Sequence, residues 1–397
     1  MEKKSERPIL IVIGNNKNGG IAKRASMIAN GFSVIGRKAT IVVTKDNLEE
    51  TFFDLRENVS IVTTNGALAE IKKCDLLKIK FRKAIRDILP KNSNKRKKLN
   101  YEISNRRNCS ALKNIFKQYN NPIIITLGLE YAVKAFFAAK GIRRDVIYAT
   151  KTYADGELYG LDRELVLGIL PKFSCVVCQT RYTADYFQKM GIRRVKVIGN
   201  PLDVKEAQYD GERKNTIVNF CRISREKRLE LLIKAFSMFY KDSPEYRVDI
   251  YGNAYYEDEK KYKEELLALA EDLQLTERVA IHEAKKNIHE TVKDAAMFVS
   301  TSDFEGLSNS MIEAMALGIP CICTDCDGGG AREYIENEVN GLLIPKDNVE
   351  ALTEALYKFS DRKFAQECGK KATEIRKTLD INKILSEWEN VINEYCS

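Results

Sequence analysis

The sequence of 397 residues lacks an apolar run long enough to cross a bilayer. The stretch PIIITLGLEYAVKAFFAAKG is interrupted by Glu130 and Lys134, whereas a membrane helix needs about 20 predominantly apolar residues. The apolar run near the start, ILIVIG, is too short for the core of a secretory signal, and no small-residue cleavage site follows it. These absences exclude a membrane-spanning protein and predict a cytoplasmic chain, with any membrane contact peripheral.

The ten cysteines show no pattern typical of a disulfide framework in a chain of this length. Two C-x-x-C pairs, Cys175/Cys178 and Cys323/Cys326, raise the alternative of a zinc site. Each pair begins inside a predicted strand, where residues i and i+3 point to opposite faces. The two pairs also fall in different halves of the chain, so the sequence disfavours zinc.

The composition is that of a soluble globular protein with a moderate excess of positive charge. Hydrophobic residues make up 44% and charged residues 30%, and the formal net charge is +9. The length predicts two domains. The basic excess favours anionic partners such as nucleotides, phosphorylated substrates or anionic lipids, or simply keeps the surface soluble. No nucleic-acid partner is expected.

Short β-branched runs alternate with longer helical patterns along the whole chain. Such alternation predicts an α/β fold in which parallel sheets are covered by helices on both faces. The alternation runs from ILIVIG to VKVIGN and restarts at TIVNFC, after the polar, turn-rich segment 200–215, which fits a linker. We therefore expect two doubly wound, Rossmann-like domains, residues 1–200 and 201–375, with ligands at the strand carboxyl ends facing a central cleft. A terminal helix in residues 376–397 is expected to pack back on the first domain.

One segment of the first half, Lys78 to Lys98, carries ten basic residues against one acid. Its first part predicts a basic amphipathic helix with Ile79, Ile85, Ile88 and Leu89 on one side. Such a helix can lie on an anionic membrane surface. A solvated excursion of the first domain explains the charge equally well.

Two glutamates with seven residues between them lie in the segment DFEGLSNSMIEAMALGIP. Glu305 falls in the turn after a predicted strand, and Glu313 about one turn into a helix capped by Ser308 or Asn309. The helix N-terminus between them suits a phosphate, because its free N–H groups and positive dipole end attract anions. Glu313 can accept two hydrogen bonds from a ribose diol, and Glu305 can contact a group attached to the phosphate. The spacing therefore fits a nucleotide sugar, whereas two glutamates flanking an ordinary helix are the plain alternative.

Two cations support the nucleotide-sugar interpretation. Arg222 and Lys227 lie in the loop between the first strand of the second domain and the helix that follows. Cations at that position can bind a diphosphate and stabilise the charge that develops when it leaves.

These motifs resemble those of the large retaining glycosyltransferase family 4, also called glycosyl transferases group 1, which has the GT-B fold. In the second half the matching pieces are CRISREKRLELLIKAF, DIYGN, STSDFEGLSNSMIEAMALGIPCICTD, GGGAREYI and NGLLIP, in that order. In the first half NGG, VVCQTRYTADYF and VIGNPLD fit the same family. The resemblance extends over nearly the whole chain.

The resemblance implies a role for each matching residue. Arg222 and Lys227 would hold the donor diphosphate and serve catalysis together with Glu305, which would contact the transferred sugar. Glu313 would bind the nucleotide ribose. Backbone groups would contact the donor at Gly19, Gly20, Gly306, Leu307, Ser308 and Asn309. No metal or other cofactor is implied, because the two cations and the helix dipole would do the work of Mg²⁺.

The implied activity is transfer of a sugar from a UDP- or GDP-linked donor to a hydroxyl of a cell-envelope glycan, either lipid-linked or polymeric. The diphosphate would leave from the face that the acceptor attacks, so the anomeric configuration would be retained. A non-catalytic partner subunit and a nucleotide-sugar 2-epimerase are alternatives on the same fold.

The sequence departs from the family pattern at two places. Cys221 stands where a glycine usually precedes the first cation, and no histidine follows the strand VIYAT. The only histidines are His282 and His289, both in the second half. We expect each of them either to lie at the surface or to support other site residues. The loop KTYADG offers Lys151, Thr152 or Tyr153 in place of the missing histidine.

Overall fold

The computed structural model describes residues 7–15, 19–45, 53–65, 73–90, 93–142, 145–202, 204, 209 and 211–396, without the side chains of residues 73–79. The chain divides into two compact units. Residues 1–201 and 381–397 form the first unit, and residues 202–380 form the second.

The first unit contains the N-terminal series of strands and helices together with the last helix of the chain. Its strands are β1 (Ile9–Ile13), β2 (Ala39–Val43), β3 (Val59–Thr63), β4 (Ile123–Leu127), β5 (Asp145–Ala149), β6 (Cys175–Cys178) and β7 (Val195–Val197). Its helices are α1 (Gly20–Val34), α2 (Lys73–Ile88), α3 (Asn94–Ser104), α4 (Arg106–Phe116), α5 (Leu129–Ala138), α6 (Ala154–Leu158), α7 (Arg163–Leu167), α8 (Arg181–Lys189) and α17 (Ile381–Tyr395).

The strands of the first unit form a parallel sheet in the order β3-β2-β1-β4-β5-β6-β7. The central strands β1, β2, β4 and β5 are buried along their whole length, which explains why they contain apolar residues without alternation. The order of the strands reverses between β1 and β4. Gly19 and Gly20, at the start of α1, follow β1 at this point.

The last helix, α17, packs on α1 within the first unit. A Cβ on Gly31 of α1 would lie 2.7 Å from Leu385 Cδ1, so glycine permits the close approach of the two helices. Arg37 donates to Glu389 Oε1 at 2.7 Å, and Trp388 is completely buried. A short helix, α16 (Ile375–Thr378), precedes α17 and belongs to the second unit.

The second unit repeats the same plan. Its strands are β8 (Lys214–Phe220), β9 (Arg247–Tyr251), β10 (Val279–His282), β11 (Ala295–Ser300), β12 (Cys321–Thr324) and β13 (Leu342–Ile344). Its other helices are α9 (Leu229–Phe239), α10 (Glu257–Asp272), α11 (Ile288–Val292), α12 (Asn309–Ala316), α13 (Gly330–Tyr334), α14 (Val349–Ser360) and α15 (Arg362–Ala372). The predicted linker 200–215 extends too far, because β8 begins at Lys214, where its amide donates to Asp294 O at 2.8 Å.

The second sheet is also parallel, with the order β10-β9-β8-β11-β12-β13. The strand order reverses between β8 and β11. In doubly wound sheets the crevice at the carboxyl ends of two such strands is the usual ligand site. The loop after β8 contains Arg222 and Lys227, and the loop after β11 contains Glu305. Among the helices of the described residues, none is long and apolar enough to cross a membrane.

Candidate functional site

The loops that follow β8 and β11 are hydrogen-bonded to each other. Thr301 Oγ1 donates to the carbonyl of Lys227 at 2.7 Å, and the amide of Asp303 donates to the carbonyl of Glu226 at 2.9 Å. The first loop contains a 3₁₀ turn over Arg225–Lys227. These bonds hold the residues predicted to bind a diphosphate beside the loop that contains Glu305.

Lys227 and Glu305 form an ion pair between the two loops. Their side chains are only 18% and 23% exposed, and Ser302 Oγ donates to the same Glu305 oxygen at 3.5 Å. Burial alone would lower the pKa of Lys227, but the charge and hydrogen bond of Glu305, together with Cys221 and Glu226, outweigh burial and raise this pKa above its ordinary value. The ammonium group therefore stays protonated at neutral pH and can bind an anion that displaces Glu305.

Arg222 is the more exposed of the two predicted cations, at 48% of its side chain. Its guanidinium contacts Glu226 and donates to Glu259 Oε1 at 2.9 Å. The other oxygen of Glu259 accepts from the amides of Tyr255 and Tyr256 at 2.7 Å and 3.3 Å, at the N-terminus of α10. Glu259 thus joins the start of α10 to Arg222, a contact that the sequence did not reveal.

Cys221, the residue before Arg222, lies near the same charged groups. Desolvation raises the pKa of its thiol to about 12, with the positive charge of Lys227 opposing that rise. The thiol is therefore neutral at physiological pH and adds no negative charge to an anion site. The carbonyl of Cys221 would lie 1.9 Å from a Cβ on Gly252, so the loop after β9 needs a glycine there.

The helix α12 begins at Asn309, as the sequence predicted. Of the two candidate caps, Ser308 is the N-cap, and its Oγ accepts from the amide of Met311 at 3.3 Å. Ser310 Oγ donates to the carbonyl of Phe220 at the end of β8. This bond fixes the first turn of α12 next to the loop that contains Arg222.

The segment Glu305–Leu307 is positioned by the loop after β12. The amide of Glu305 donates to the carbonyl of Asp327 at 2.9 Å. A Cβ on Gly330 would lie 2.1 Å from the carbonyl oxygen of Gly306. Only glycine at position 330 allows the two backbones to approach so closely, which explains the last glycine of the GGG sequence.

Glu313 lies inside α12 with its side chain only 7% exposed, and its Oε2 is 2.9 Å from His289 Nε2. His289 belongs to the short helix α11 and is 13% exposed. Nothing in the sequence indicates this contact, because 24 residues separate the two partners. The other histidine, His282, instead contacts Asp249 Oδ1 at 3.1 Å and stacks on Tyr251.

Gly19 and Gly20 lie in the first unit, at the start of α1. A Cβ on Gly19 would meet no atom within 4 Å, and its φ of 170° is open to any residue. Nothing in the described chain therefore requires glycine at position 19, and its role toward a donor stays a prediction.

The remaining predicted residues all lie in the second unit. Arg222, Lys227 and Glu305 lie on loops at the strand reversal, and Glu313 lies inside α12, the helix after the Glu305 loop. Such an arrangement can bind a diphosphate through its positive groups and a diol through Glu313. Within the described part of the chain, no three His, Cys, Asp or Glu side chains are grouped as metal ligands.

Part of the chain resembles known glycosyltransferases in sequence. Residues 204–375 match the family model described as "Glycosyl transferases group 1", and this range covers nearly all of the second unit. The poly(glycerol-phosphate) alpha-glucosyltransferase of Bacillus subtilis is 29% identical over 198 residues, which are 50% of this chain and 28% of that protein. The poly(ribitol-phosphate) alpha-N-acetylglucosaminyltransferase of Staphylococcus aureus is 26% identical over 211 residues, 53% of this chain and 41% of that protein. The aligned region thus spans less than half of either relative.

A solved structure resembles the chain over almost its full length. The crystal structure of a Staphylococcus aureus TarM mutant in complex with fondaparinux, alpha-GlcNAc-glycerol and UDP aligns with a TM-score of 0.77. The alignment covers 98% of this chain and 100% of that one at 15% identity. The likeness shows the fold, and with the two parallel sheets it confirms the predicted GT-B fold class.

Proposed function

We propose that this chain is a retaining, metal-independent glycosyltransferase that uses a nucleotide-diphosphate sugar. The observation that carries the proposal is the group of Arg222, Lys227, Glu305 and Glu313 at the strand reversal of a unit that matches glycosyl transferases group 1. The geometry of the second unit and the family match both support it.

The donor would be bound by the positive groups of the site. Lys227 and Arg222 contact the diphosphate, and the first turn of α12 directs backbone N–H groups toward it. To do so, Lys227 must exchange its contact with Glu305, and Arg222 its contact with Glu226, for phosphate oxygens. The released Glu305 carboxylate can then accept hydrogen bonds from the sugar hydroxyls, while Glu313 accepts them from the ribose.

The transfer step would break the bond between the sugar C1 and the phosphate oxygen. The bond from the acceptor oxygen to C1 forms on the same face, and the acceptor proton passes to the departing phosphate. Arg222 and Lys227 stabilise the negative charge that develops there, which is the term that a metal ion would otherwise supply. Because attack and departure share one face, the configuration at C1 is retained.

The acceptor would be a hydroxyl of a cell-envelope glycan, polymeric or lipid-linked. The two curated relatives are enzymes that glycosylate poly(glycerol phosphate) and poly(ribitol phosphate), and the net charge of +9 suits a polyanionic acceptor. The TarM complex with UDP supports a uridine donor over a guanosine donor. We also propose that the transfer takes place at the inner face of the cell membrane.

The test is transfer from UDP-glucose, UDP-N-acetylglucosamine and GDP-mannose to polymeric and lipid-linked acceptors, with EDTA present. We expect one donor to release its nucleoside diphosphate only when an acceptor is added, with an α linkage in the product. Lys227→Gln should lower the transfer rate by about 100-fold or more. Lys234→Gln, an exposed lysine on α9, is the matched control and should transfer at the wild-type rate.

Two results would favour one of the alternative functions over this proposal. Release of a free or isomerised sugar without any acceptor would indicate the epimerase. Tight nucleotide binding with no turnover of any donor would indicate the non-catalytic partner subunit.

A further inference from the structure

The helix α2 presents large apolar side chains to solvent. Phe81 is 69% exposed, Ile85 is 40% exposed and Ile88 is 85% exposed. At about 100° of rotation per residue, the spacing 81, 85, 88 puts all three within an arc of about 60°. Single exposed apolar residues are ordinary, but an aligned row on one helix face marks a surface that binds something.

This helix is attached to the first unit through its neighbour. Arg96 of α3 donates from Nη1 to the carbonyl of Leu89, just after α2, at 2.7 Å. Lys97 of α3 in turn contacts Asp162 Oδ2 at 3.4 Å, at the start of α7. The apolar row is therefore presented by a helix that packs on α3.

The surroundings of the row are strongly basic. Residues 80–98 contain nine lysines and arginines and one acid, Asp87. Lys80 and Arg82 lie on either side of the row, each about 100° from Phe81 around the helix. Arg86 is paired with Asp87 at 2.8 Å and Arg82 with Glu102 at 3.4 Å, so the excess charge exceeds what these two acids neutralise. Lys91 and the side chain of Lys78, which belong to the same basic segment, lie outside the described residues.

We propose that α2 binds the surface of an anionic lipid bilayer. Phe81, Ile85 and Ile88 enter the boundary between headgroups and acyl chains, and the flanking cations contact lipid phosphates. Charge alone would suit a soluble polyanion equally, but such a polymer offers no apolar environment for a phenylalanine and two isoleucines. An interfacial helix satisfies both features, because it combines an apolar face with cations along its sides.

This inference goes beyond glycosyl transfer and does not depend on it. Every residue that it uses lies in the first unit, whereas Arg222, Lys227, Glu305 and Glu313 lie in the second. Vesicle binding can therefore fail while transfer to a soluble acceptor succeeds, and the reverse can also occur.

The experiment is sedimentation of the full chain with vesicles of phosphatidylcholine, alone or with one-third phosphatidylglycerol. We expect wild-type protein to bind the anionic vesicles, to bind neutral ones at least tenfold more weakly, and to be partly released by salt. Phe81→Ser/Ile88→Ser should weaken binding about tenfold or more, because two apolar side chains no longer leave water. Val34→Ser/Tyr159→Ser removes two other exposed apolar residues of the first unit and should bind like wild type.

A second pair of variants tests the charges. Lys80→Glu/Arg82→Glu should weaken binding to anionic vesicles about tenfold or more. Lys189→Glu/Lys363→Glu makes the same change in net charge at exposed sites elsewhere and should have little effect. Equal losses from both pairs would show that net charge, rather than this helix, attracts the protein.

Fluorescence reports insertion directly. The chain has one tryptophan, Trp388, which is completely buried, so Ile88→Trp adds a reporter against a constant background. We expect its emission to shift to the blue with anionic vesicles and to be quenched by brominated lipid.

Three results would overturn the proposal. These are no binding of wild-type protein to anionic vesicles, wild-type binding by Phe81→Ser/Ile88→Ser, and no blue shift from Ile88→Trp. Binding of soluble poly(glycerol phosphate), unchanged in Phe81→Ser/Ile88→Ser and without vesicle binding, would assign the basic surface to a polymer instead.

Discussion

At the scale of single residues, both predicted phosphate-binding cations are ion-paired within the protein. Lys227 contacts Glu305, and Arg222 contacts Glu226 and Glu259. A diphosphate has to compete with these carboxylates, so part of its binding energy is spent on separating the pairs. The same exchange would make the Glu305 carboxylate available when a donor is bound.

The two glutamates should therefore respond differently to substitution. Glu313→Ala should weaken binding of the nucleoside diphosphate by about 1.5–3 kcal/mol, because a charged acceptor for the ribose hydroxyls is lost. Glu305→Ala should leave nucleotide affinity unchanged or higher, since Lys227 no longer has a competing partner, but should strongly reduce transfer. Calorimetry and initial rates measure the two effects, and equal loss of binding and transfer in both variants would contradict the division of roles.

The contact between His289 and Glu313 was not predictable from the sequence, and we expect His289 to position Glu313. His289→Ala should weaken binding of the nucleoside diphosphate by about 1 kcal/mol, the typical net value of one hydrogen bond. Binding of the 2′,3′-dideoxy analogue should change much less, because that analogue has no ribose hydroxyls for Glu313. His289→Gln, which keeps a polar nitrogen, should restore part of the affinity.

A different pattern would contradict the positioning role of His289. If His289→Ala weakened binding of the diphosphate and of its dideoxy analogue equally, His289 would act on the general structure of the second unit. Thermal unfolding of each variant gives the corresponding control for stability.

At the scale of elements, the site depends on the loops after β11 and β12, whose backbones are in direct contact at Gly306 and Gly330. Gly330→Ala should displace the backbone at Gly306, because the new Cβ would lie 2.1 Å from the Gly306 carbonyl oxygen. We expect nucleotide affinity to fall by at least tenfold, as the segment before α12 moves away from the phosphate position. Titration of the variant measures this, and wild-type affinity would show that the loop relaxes at no cost to the site.

The elements of the fold were largely predictable because their patterns are local. Uninterrupted apolar runs such as ILIVIG predicted the buried parallel strands, and Ser308 was one of two residues predicted to cap the start of α12. Two strands were not predicted: β3 lies at the edge of its sheet and is only partly buried, and β13 has three residues. Neither produces a long apolar run.

The contacts of the site were less predictable than its members. Glu305, Glu313, Arg222 and Lys227 follow a recognisable spacing, but their partners come from distant parts of the chain. Glu259 lies 37 residues from Arg222, and nothing near either residue indicates the contact. Of the predicted apolar face of α2 (Ile79, Ile85, Ile88 and Leu89), Ile85 and Ile88 are exposed, together with Phe81, which was not predicted. The side chain of Ile79 lies outside the described residues.

At the scale of the whole molecule, the two units divide the proposed tasks. The described residues that we assign to the donor phosphate and ribose lie in residues 202–380, and the basic face of α2 lies in the first unit. The last helix, α17, returns to the first unit, where Trp388 is buried. The range matched by the family model, residues 204–375, lies entirely in the second unit.

The central claim is that the second unit binds a nucleoside diphosphate through its cations without a metal. The most direct measurement is calorimetric titration of UDP, GDP, ADP and CMP into the purified chain with EDTA present. We predict saturable binding of one diphosphate, weakened at least tenfold in Arg222→Ala and unchanged in Arg225→Ala, whose guanidinium is paired with Glu265 at 2.8 Å. Absence of binding by any of the four nucleotides, or equal binding by wild type and Arg222→Ala, would contradict the account.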